Sequence, residues 1–501
     1  MIFKEIVKLK IEDLLSRQAS NKKIAIKYGS QSIDYMNWYR SSVKLSEILN
    51  NNLSNSSKTI AIFLPNSINY AIAYFSILYT NKVIVPIEIK AKPVEIYSML
   101  EYCEVDMVIT DNKHIVSLIN ALREYKKKVA VLNIDENVVH FINDCYNFIK
   151  KTNYINQNDD ENDVAIMLHT SGTTNSPKRV MLSHFNILSN IESNISSLNI
   201  HKKDIVLISL PMYFGYCNTA QFLTHLYCGG TIVIMEKIFM PKYFFEIIEK
   251  EKITMFTSVP TMLLMLLEYR YYSNYDYSSL RYICFGGGKI STSTIYKLIN
   301  KFPSIGFVQT YGQTECSPRV TALLPEWSLK KIGSVGKPIP NVNVEIINHC
   351  GKKCLPNEKG EICVNGPNLM QGYYKNESET KRVIKNGWIH TGDVGYYDEE
   401  GFIYLVGRIK NVIISGGINI YPEEIENIIA QYDGISDVCV FGEEDVFLGE
   451  IPCAKIVKEK EIDIEDLKLY CQKRMSEYKI PVRYYFVTSI EKTYNGKTRR
   501  K

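Results

Sequence analysis

Short apolar runs alternate with segments patterned as helices over most of this chain. TIAIFLPN (Thr59 to Asn66) reads as a buried strand ending in a Pro-Asn turn. INYAIAYFSILYT follows with apolar residues at helical spacing, and VIVPI reads as the next strand. DMVIT, TIVIM and ITMFTSV repeat the strand pattern further on. Strand and helix in alternation make crossover units, so the fold class is α/β, with mostly parallel sheets covered by helices. A chain of 501 residues exceeds one ordinary core, and two or more domains are expected.

The texture changes from about Asn341. VNVEIIN, GEICVNG and GFIYLVG are short strands separated by Gly and Asn turns, the pattern of an antiparallel or barrel-like β subdomain. After Arg408 strand and helix alternate again. ISDVCVFG, IPCAKIV and the helical IEDLKLYCQKRM have apolar faces of their own, which marks a small, separate C-terminal α+β domain.

Several classes are set aside. The opening MIFKEIVKLKIEDLL carries charges throughout and reads as an amphipathic helix, not a secretory leader. The longest apolar stretch, Tyr70 to Tyr79, is too short to span a bilayer. The net charge of +5 is spread along the chain without a basic stripe, so no nucleic-acid surface is expected. Twelve cysteines sit mostly in apolar runs such as VCVFG around Cys439, as in a cytoplasmic protein with reduced thiols.

Four stations carry chemistry. HTSGTTNSPKRV (His169 to Val180) offers small side chains, backbone amides, hydroxyls and Lys178, a set that can wrap a polyphosphate. It lacks the GxxxxGK[ST] spacing of a P-loop, and taken alone it also suits a plain Ser/Thr turn. QTYGQTE (Gln309 to Glu315) joins a flat aromatic face at Tyr311 to the carboxylate of Glu315, an oxygen ligand of the kind Mg²⁺ prefers, or is an ordinary loop. WIHTGD ends at Asp393, and GFIYLVGR ends at Arg408. These two could hold ribose hydroxyls as acceptor and donor, or make a surface ion pair on a hairpin. TYNGK brings Lys497 close to the chain end, where a lone lysine is normally solvated.

The ordered set TSGTT…PK, YGQTE, TGD, GRIK, SGGINIYPEEIE and NGK resembles the adenylate-forming superfamily of acyl-CoA synthetases, firefly luciferase and peptide-synthetase adenylation domains, from about Ile60 to the last residues. Motif detail is closest to the acyl-CoA synthetases. The resemblance implies an AMP-binding domain over residues 1–409 and a mobile domain over 410–501 that carries the catalytic lysine. It implies a phosphate loop at Thr170, Ser171, Gly172, Thr173, Thr174 and Lys178. It implies an adenine wall at Gly286, Gly287, Gly288 and Tyr311, continued by Gly312, Gln313 and Thr314. Glu315 becomes the magnesium carboxylate, Asp393 and Arg408 the ribose ligands, and Lys497 the catalytic lysine, with Glu315 and Thr174 completing the catalytic set. Lys410 becomes the hinge, and the loop at Gly416 and Gly417 approaches the incoming thiol. The implied activity is ATP-dependent activation of a carboxylic acid as acyl-AMP, then transfer to a thiol. ATP, Mg²⁺ and CoA or a phosphopantetheine thiol are the implied cofactors.

Three departures bear on this. Asn175 and Arg179 replace glycines usual in GTTGxPKG; Asn tolerates left-handed angles, and Arg179 is expected to point to solvent. The acid-pocket segment, usually PLFH, reads PMYFGYCN, with Phe214 at the His position and Cys217 where Gly is common. Amino-acid-activating domains carry an Asp where this chain has Gly215, so a substrate ammonium would lack its partner at a cost. Tyr213, Phe214, Tyr216 and the segment near Val259 make an apolar, aromatic lining suited to a fatty or aryl acid. The pair Cys350 and Cys354 lies where the family has a strand–turn–strand and is read as no metal site, and the terminal TRRK is expected to be solvated. The partner is a small carboxylic acid. A ligase loading a separate acyl carrier protein and a non-catalytic adenylate-binding protein stand as alternatives, the second opposed by the joint presence of Glu315, Asp393, Arg408 and Lys497.

Overall fold

A computed structural model describes residues 9–54, 56–123, 129–136, 138–142, 163–169, 178–288, 290–491 and 500. Thr59–Phe63, Val83–Pro86 and Met107–Thr110 are strands where the apolar runs predict them, and Ile68–Leu78 is the intervening helix. Ser67 starts that helix by accepting the Tyr70 amide proton at 3.1 Å. These strands form the parallel centre of one sheet, ordered Gly372–Tyr373, Arg179–Ser183, Val164–His169, Val83–Pro86, Thr59–Phe63, Met107–Thr110, Val129–Asn133 and Val138–Ile142. Every residue of Thr59–Phe63 is buried because helices cover both faces, which is why the run is continuously apolar.

A second, longer sheet carries the site. Ile24–Tyr28, Thr231–Ile234, Ile205–Ile208, Met255–Ser258, Tyr282–Phe285 and Gly306–Gly312 run parallel. Direction reverses at Gly306–Gly312, and the sheet continues antiparallel through Arg319–Leu323, Ser334–Pro338, Ile403–Arg408, Trp388–Tyr397, Gly360–Asn365 and Asn343–Ile347. The antiparallel strands read from the sequence therefore extend the parallel sheet. The stations QTYGQTE, Gly286 to Gly288, Val259 and Tyr213 follow the carboxyl ends of parallel strands, the usual place for a ligand in such sheets.

The C-terminal segment forms a third sheet, ordered Ile418–Ile420, Ile413–Ser415, Gly449–Lys458 and Ile435–Asp445, with Arg483–Phe486 beside Gly449–Lys458. Helices Pro422–Ile429 and Ile464–Gln472 pack on it around Ile425, Ile429, Val440, Ile456 and Leu467. Ile347 bridges Lys353 across the turn that holds Cys350, which is exposed, and Cys354 is buried. No described helix is long and apolar enough to cross a membrane.

Two side chains differ from expectation. Arg179 is 1% exposed. Its strand pairs with Val164–His169 through His169 opposite Arg179, and the side chain turns inward to the Cys103 thiol. Arg500 is held as well: its guanidinium donates to Glu423 at 3.0 Å, to the Val440 carbonyl at 2.7 Å and to Glu426. Two carboxylates on one helix face outweigh solvation for this part of the terminal TRRK.

Candidate active site

Tyr311 ends strand Gly306–Gly312, and Asp393 and Arg408 face each other on adjacent antiparallel strands. The Tyr311 hydroxyl donates to Asp393 Oδ2 at 2.8 Å, and Arg408 Nε lies 2.8 Å from Asp393 Oδ1. The carboxylate of Asp393 raises Arg408 above its ordinary value, and burial raises Tyr311 well above its own. Beside them Gly392, at φ +70°, has nothing near its missing side chain and donates its amide to Glu361 Oε1 at 3.0 Å. Glu361 Oε2 lies 2.8 Å from His390 Nδ1, with Cys363 Sγ 3.5 Å from that nitrogen. Glu361 and His390 thus brace the TGD turn, a role not foreseen from the sequence because the partner strand is distant in the chain.

Gly286 packs under this group. A Cβ there would sit 2.6 Å from the Thr310 carbonyl oxygen, so the loop can approach the strand only as glycine. Gly287, at φ +77°, faces open space, and Gly288 is exposed. In Gly312 a Cβ would meet the Pro318 oxygen at 1.8 Å. The short helix Thr314–Cys316 then carries Glu315 forward from Gln313. The flat ring of Tyr311, glycine-lined space, and an acceptor–donor pair at Asp393 and Arg408 fit a purine nucleoside.

Lys178 and Glu315 come together through a residue the sequence reading missed. The Tyr373 hydroxyl donates to Glu315 Oε1 at 2.8 Å, and Lys178 Nζ lies 5.0 Å from the centre of the same ring. Lys178 also pairs with Glu379, which Arg382 foremost and Lys178 hold down at about 2. Tyr373 was hidden because its strand, Gly372–Tyr373, is two residues long and joins the sheet at Val180 and Met181. A hard divalent cation fits the oxygen donors of the Glu315 carboxylate, whose Oε1 accepts from the Tyr373 hydroxyl. Thr170, Ser171, Gly172, Thr173, Thr174 and Asn175 lie outside the described residues.

The segment expected to line the acid pocket begins with the helical turn Gly215–Cys217, widens to a π-helix over Asn218–Leu223, and resumes as Thr224–Cys228. Such wide turns re-aim side chains. Tyr213 and Phe214 stack edge to face at 4.7 Å. A Cβ on Gly215 would lie 3.1 Å from Leu168 Cδ1 and 4.0 Å from Pro318 Cβ. The Tyr216 hydroxyl and Thr310 Oγ1 are 2.7 Å apart, and burial pushes Tyr216 up to about 12. Val259 precedes helix Pro260–Glu268 and is half-buried.

Residues 15–374 match the AMP-binding enzyme family, and residues 424–497 match the AMP-binding enzyme C-terminal domain. The chain belongs to the family of AMP-binding enzymes. It is 31% identical to a long-chain-fatty-acid–CoA ligase of Bacillus subtilis (strain 168), over 96% of this chain and 91% of that protein. It is 30% identical to the 2-succinylbenzoate–CoA ligase of the same strain, over 96% and 95%. Among solved structures, the o-succinylbenzoate CoA synthetase of Bacillus subtilis with the acyl-adenylate OSB-AMP superposes at a TM-score of 0.85, with 30% identity over 97% of this chain and 96% of that one. A double mutant of that synthetase with the product analogue OSB-NCoA gives 0.70 at 29% identity, over 97% of both chains.

In this AMP-binding enzyme the chain passes from strand Ile403–Arg408 to the C-terminal sheet. Lys410 lies exposed in the turn Ile409–Asn411, and Asn411 Nδ2 donates to Glu423 Oε1 at 2.9 Å. Lys359, on the larger part, pairs with Glu424 on helix Pro422–Ile429. Gly416 and Gly417 form the tight turn between Ser415 and Ile418, with φ of +56° and +80°. Glycine accepts these angles without the cost other residues bear. Lys497 lies outside the described residues.

Proposed function

We propose that this AMP-binding enzyme is an AMP-forming acid–CoA ligase acting on a fatty or aryl acid. The observation that carries the reading is the convergence of Tyr311, Asp393 and Arg408 from separate strands beside Glu315. Tyr311 stacks the adenine, Asp393 accepts from the ribose hydroxyls, and Arg408 donates to them. Lys178, Thr174 and the rest of the phosphate loop hold the polyphosphate of ATP. A bound Mg²⁺, held by Glu315, would supply neutralisation of the pyrophosphate charge.

The carboxylate oxygen of the acid attacks the α-phosphorus, the bond to the β-phosphate oxygen breaks, and pyrophosphate leaves. Lys497 neutralises charge developing at that centre. In the second half-reaction the thiol sulfur attacks the acyl carbonyl, its proton is lost, and AMP leaves. We place the boundary between the two domains at residues 409 and 410, with Lys410 as pivot. The small domain turns so that Lys497 withdraws and the turn at Gly416 and Gly417 meets the thiol. The superposition supports such a swing: the chain follows the adenylate-bound relative more closely than the one holding the CoA product analogue.

Coenzyme A is favoured as the thiol because the relatives are named as CoA ligases. No observation favours a carrier protein. The pocket holds no carboxylate at Gly215 for an ammonium, which supports an acid without an α-amino group. The described cysteines are free, which supports a cytoplasmic setting. The test is ATP–pyrophosphate exchange over a panel of fatty acids, aryl acids including 2-succinylbenzoate, and amino acids. Acid-dependent exchange with fatty or aryl acids is the expected result; exchange with amino acids alone would contradict the reading.

A further inference from the structure

The brace behind the TGD turn carries a second kind of chemistry. Glu361 and Cys363 are two apart on strand Gly360–Asn365, so their side chains project on the same side. The partner strand Trp388–Tyr397 bulges here. Glu361 stands opposite Val394 and Cys363 opposite His390, so Thr391, Gly392 and Asp393 arch past the single Ile362. The bulge aims His390 back at both neighbours. A carboxylate oxygen of Glu361, the Cys363 sulfur and a ring nitrogen of His390 then lie within 4.8 Å of one another, the one such trio of metal-ligating atoms among the described residues. Cys363 is buried, while the Glu361 and His390 side chains are each 22% exposed, which leaves an ion a way in from solvent. Glu345 stands opposite Cys363 on the outer strand and adds a further carboxylate to the row, with Lys353 3.3 Å from it.

The spacing suits one class of metal. Sulfur and nitrogen ligands of a tetrahedral zinc sit ~2.0–2.3 Å from the ion, which puts them ~3.5 Å apart. Cys363 Sγ and His390 Nδ1 are 3.5 Å apart. Glu361 Oε2 is 2.8 Å from the same nitrogen and has to open by ~0.5 Å to share an ion with it. Thiolate and imidazole select zinc-like ions, whereas magnesium prefers oxygen alone. On binding, the Cys363 thiol proton goes to solvent, and His390 keeps its proton on Nε2. The carboxylate and the thiolate then balance the two charges of the ion, so no net charge is left at a half-buried place. We propose that Glu361, Cys363 and His390 bind a thiophilic divalent cation of the zinc class, and that its occupancy weakens ATP binding. The coupling runs through the other oxygen of Glu361. Oε1 accepts from the Gly392 amide at 3.0 Å, and Gly392 precedes Asp393, which holds Tyr311 and Arg408. Drawing Glu361 onto an ion loosens this arch under the proposed ribose ligands. The coupling rests on the nucleotide reading above, and the metal site does not. By linkage, ATP weakens the metal as much as the metal weakens ATP.

Cobalt(II) reports such a site, because a thiolate ligand gives it a near-ultraviolet charge-transfer band. Wild-type enzyme titrated with Co²⁺ should develop the band up to one equivalent, and Zn²⁺ should erase it. Cys363→Ala should show no band, and Cys350→Ala, which removes the exposed thiol, should keep it. His390→Gln should also lose the band and decides the matter if Cys363→Ala fails to fold. Equilibrium dialysis with Mg²⁺ in excess should find ATP bound about 10-fold more weakly by the zinc-loaded wild type, with no such change in Cys363→Ala given the same zinc. No band in the wild type would overturn the site, as would a band kept by Cys363→Ala or lost in Cys350→Ala. A band with ATP affinity unchanged by zinc would overturn the coupling. Absence of ATP binding with the band present would remove the nucleotide reading and leave the metal site standing.

Discussion

The Tyr311 hydroxyl donates to Asp393 Oδ2 at 2.8 Å across 82 residues of sequence. The same carboxylate is held by Arg408 from the next strand. The ring proposed to stack the base and the two residues proposed to bind the ribose are therefore one connected unit. Tyr311→Phe should keep the ring and lose only this tie, raising the KM for ATP about fivefold, the worth of one ordinary hydrogen bond. Asp393→Ala also leaves Arg408 unpaired and should lower kcat/KM for ATP by about 100-fold. Steady-state kinetics with ATP varied reads both, and equal effects would dissolve the distinction.

Lys497→Ala should suppress acyl-adenylate formation by about 100-fold or more while sparing thioester formation from supplied acyl-AMP. Arg500 extends this expectation. Its anchoring to Glu423 and Glu426 ties down the chain three residues after Lys497. Arg500→Met should therefore slow adenylation by about 10-fold, through kcat more than KM, and leave the second half-reaction near the wild-type rate. Parallel assays of the two half-reactions separate this from a general loss of stability, which would lower both.

Lys410→Pro should lock the small domain, because proline fixes φ and restrains its predecessor. Locked for adenylation, the enzyme keeps pyrophosphate exchange and loses thioester product. Locked the other way, it loses exchange but still consumes supplied acyl-AMP. A folded variant running both half-reactions at wild-type rates would move the pivot elsewhere.

Stability should fall on the alkaline side because of Glu12. Burial raises this carboxyl from 4.5 to about 7, and its Oε2 has no hydrogen-bond partner among the described residues, the His184 Nδ1 lying 3.5 Å away. The folded state holds the proton more tightly, so the contribution is complete below pH 4.5 and is lost as pH rises through 7. Glu12→Gln should remove that slope and stabilise the protein by about 3 kcal/mol well above pH 7. Urea unfolding of both proteins across this window checks it; parallel curves would show Glu12 to be ionised in the folded state.

The sequence made local features legible and left distant pairings hidden. Thr59–Phe63 and Ile68–Leu78 follow from periodicity alone, because burial of a central strand or a helix face is written into neighbouring residues. Tyr311, Glu315, Asp393 and Arg408 stand out by type and order. Tyr373 does not, because it lies on a two-residue strand. The burial of Arg179 and Arg500 depends likewise on partners far along the chain, Cys103 for the first and the helix Pro422–Ile429 for the second.

The central claim is that the acid's own carboxylate attacks the α-phosphorus of ATP. The direct measurement is mass spectrometry of the nucleotide after turnover of an acid labelled with oxygen-18 in its reacting carboxylate, with coenzyme A present. The account predicts that labelled oxygen appears in the phosphate of AMP. Label found in inorganic phosphate alongside ADP, with none in AMP, would contradict it.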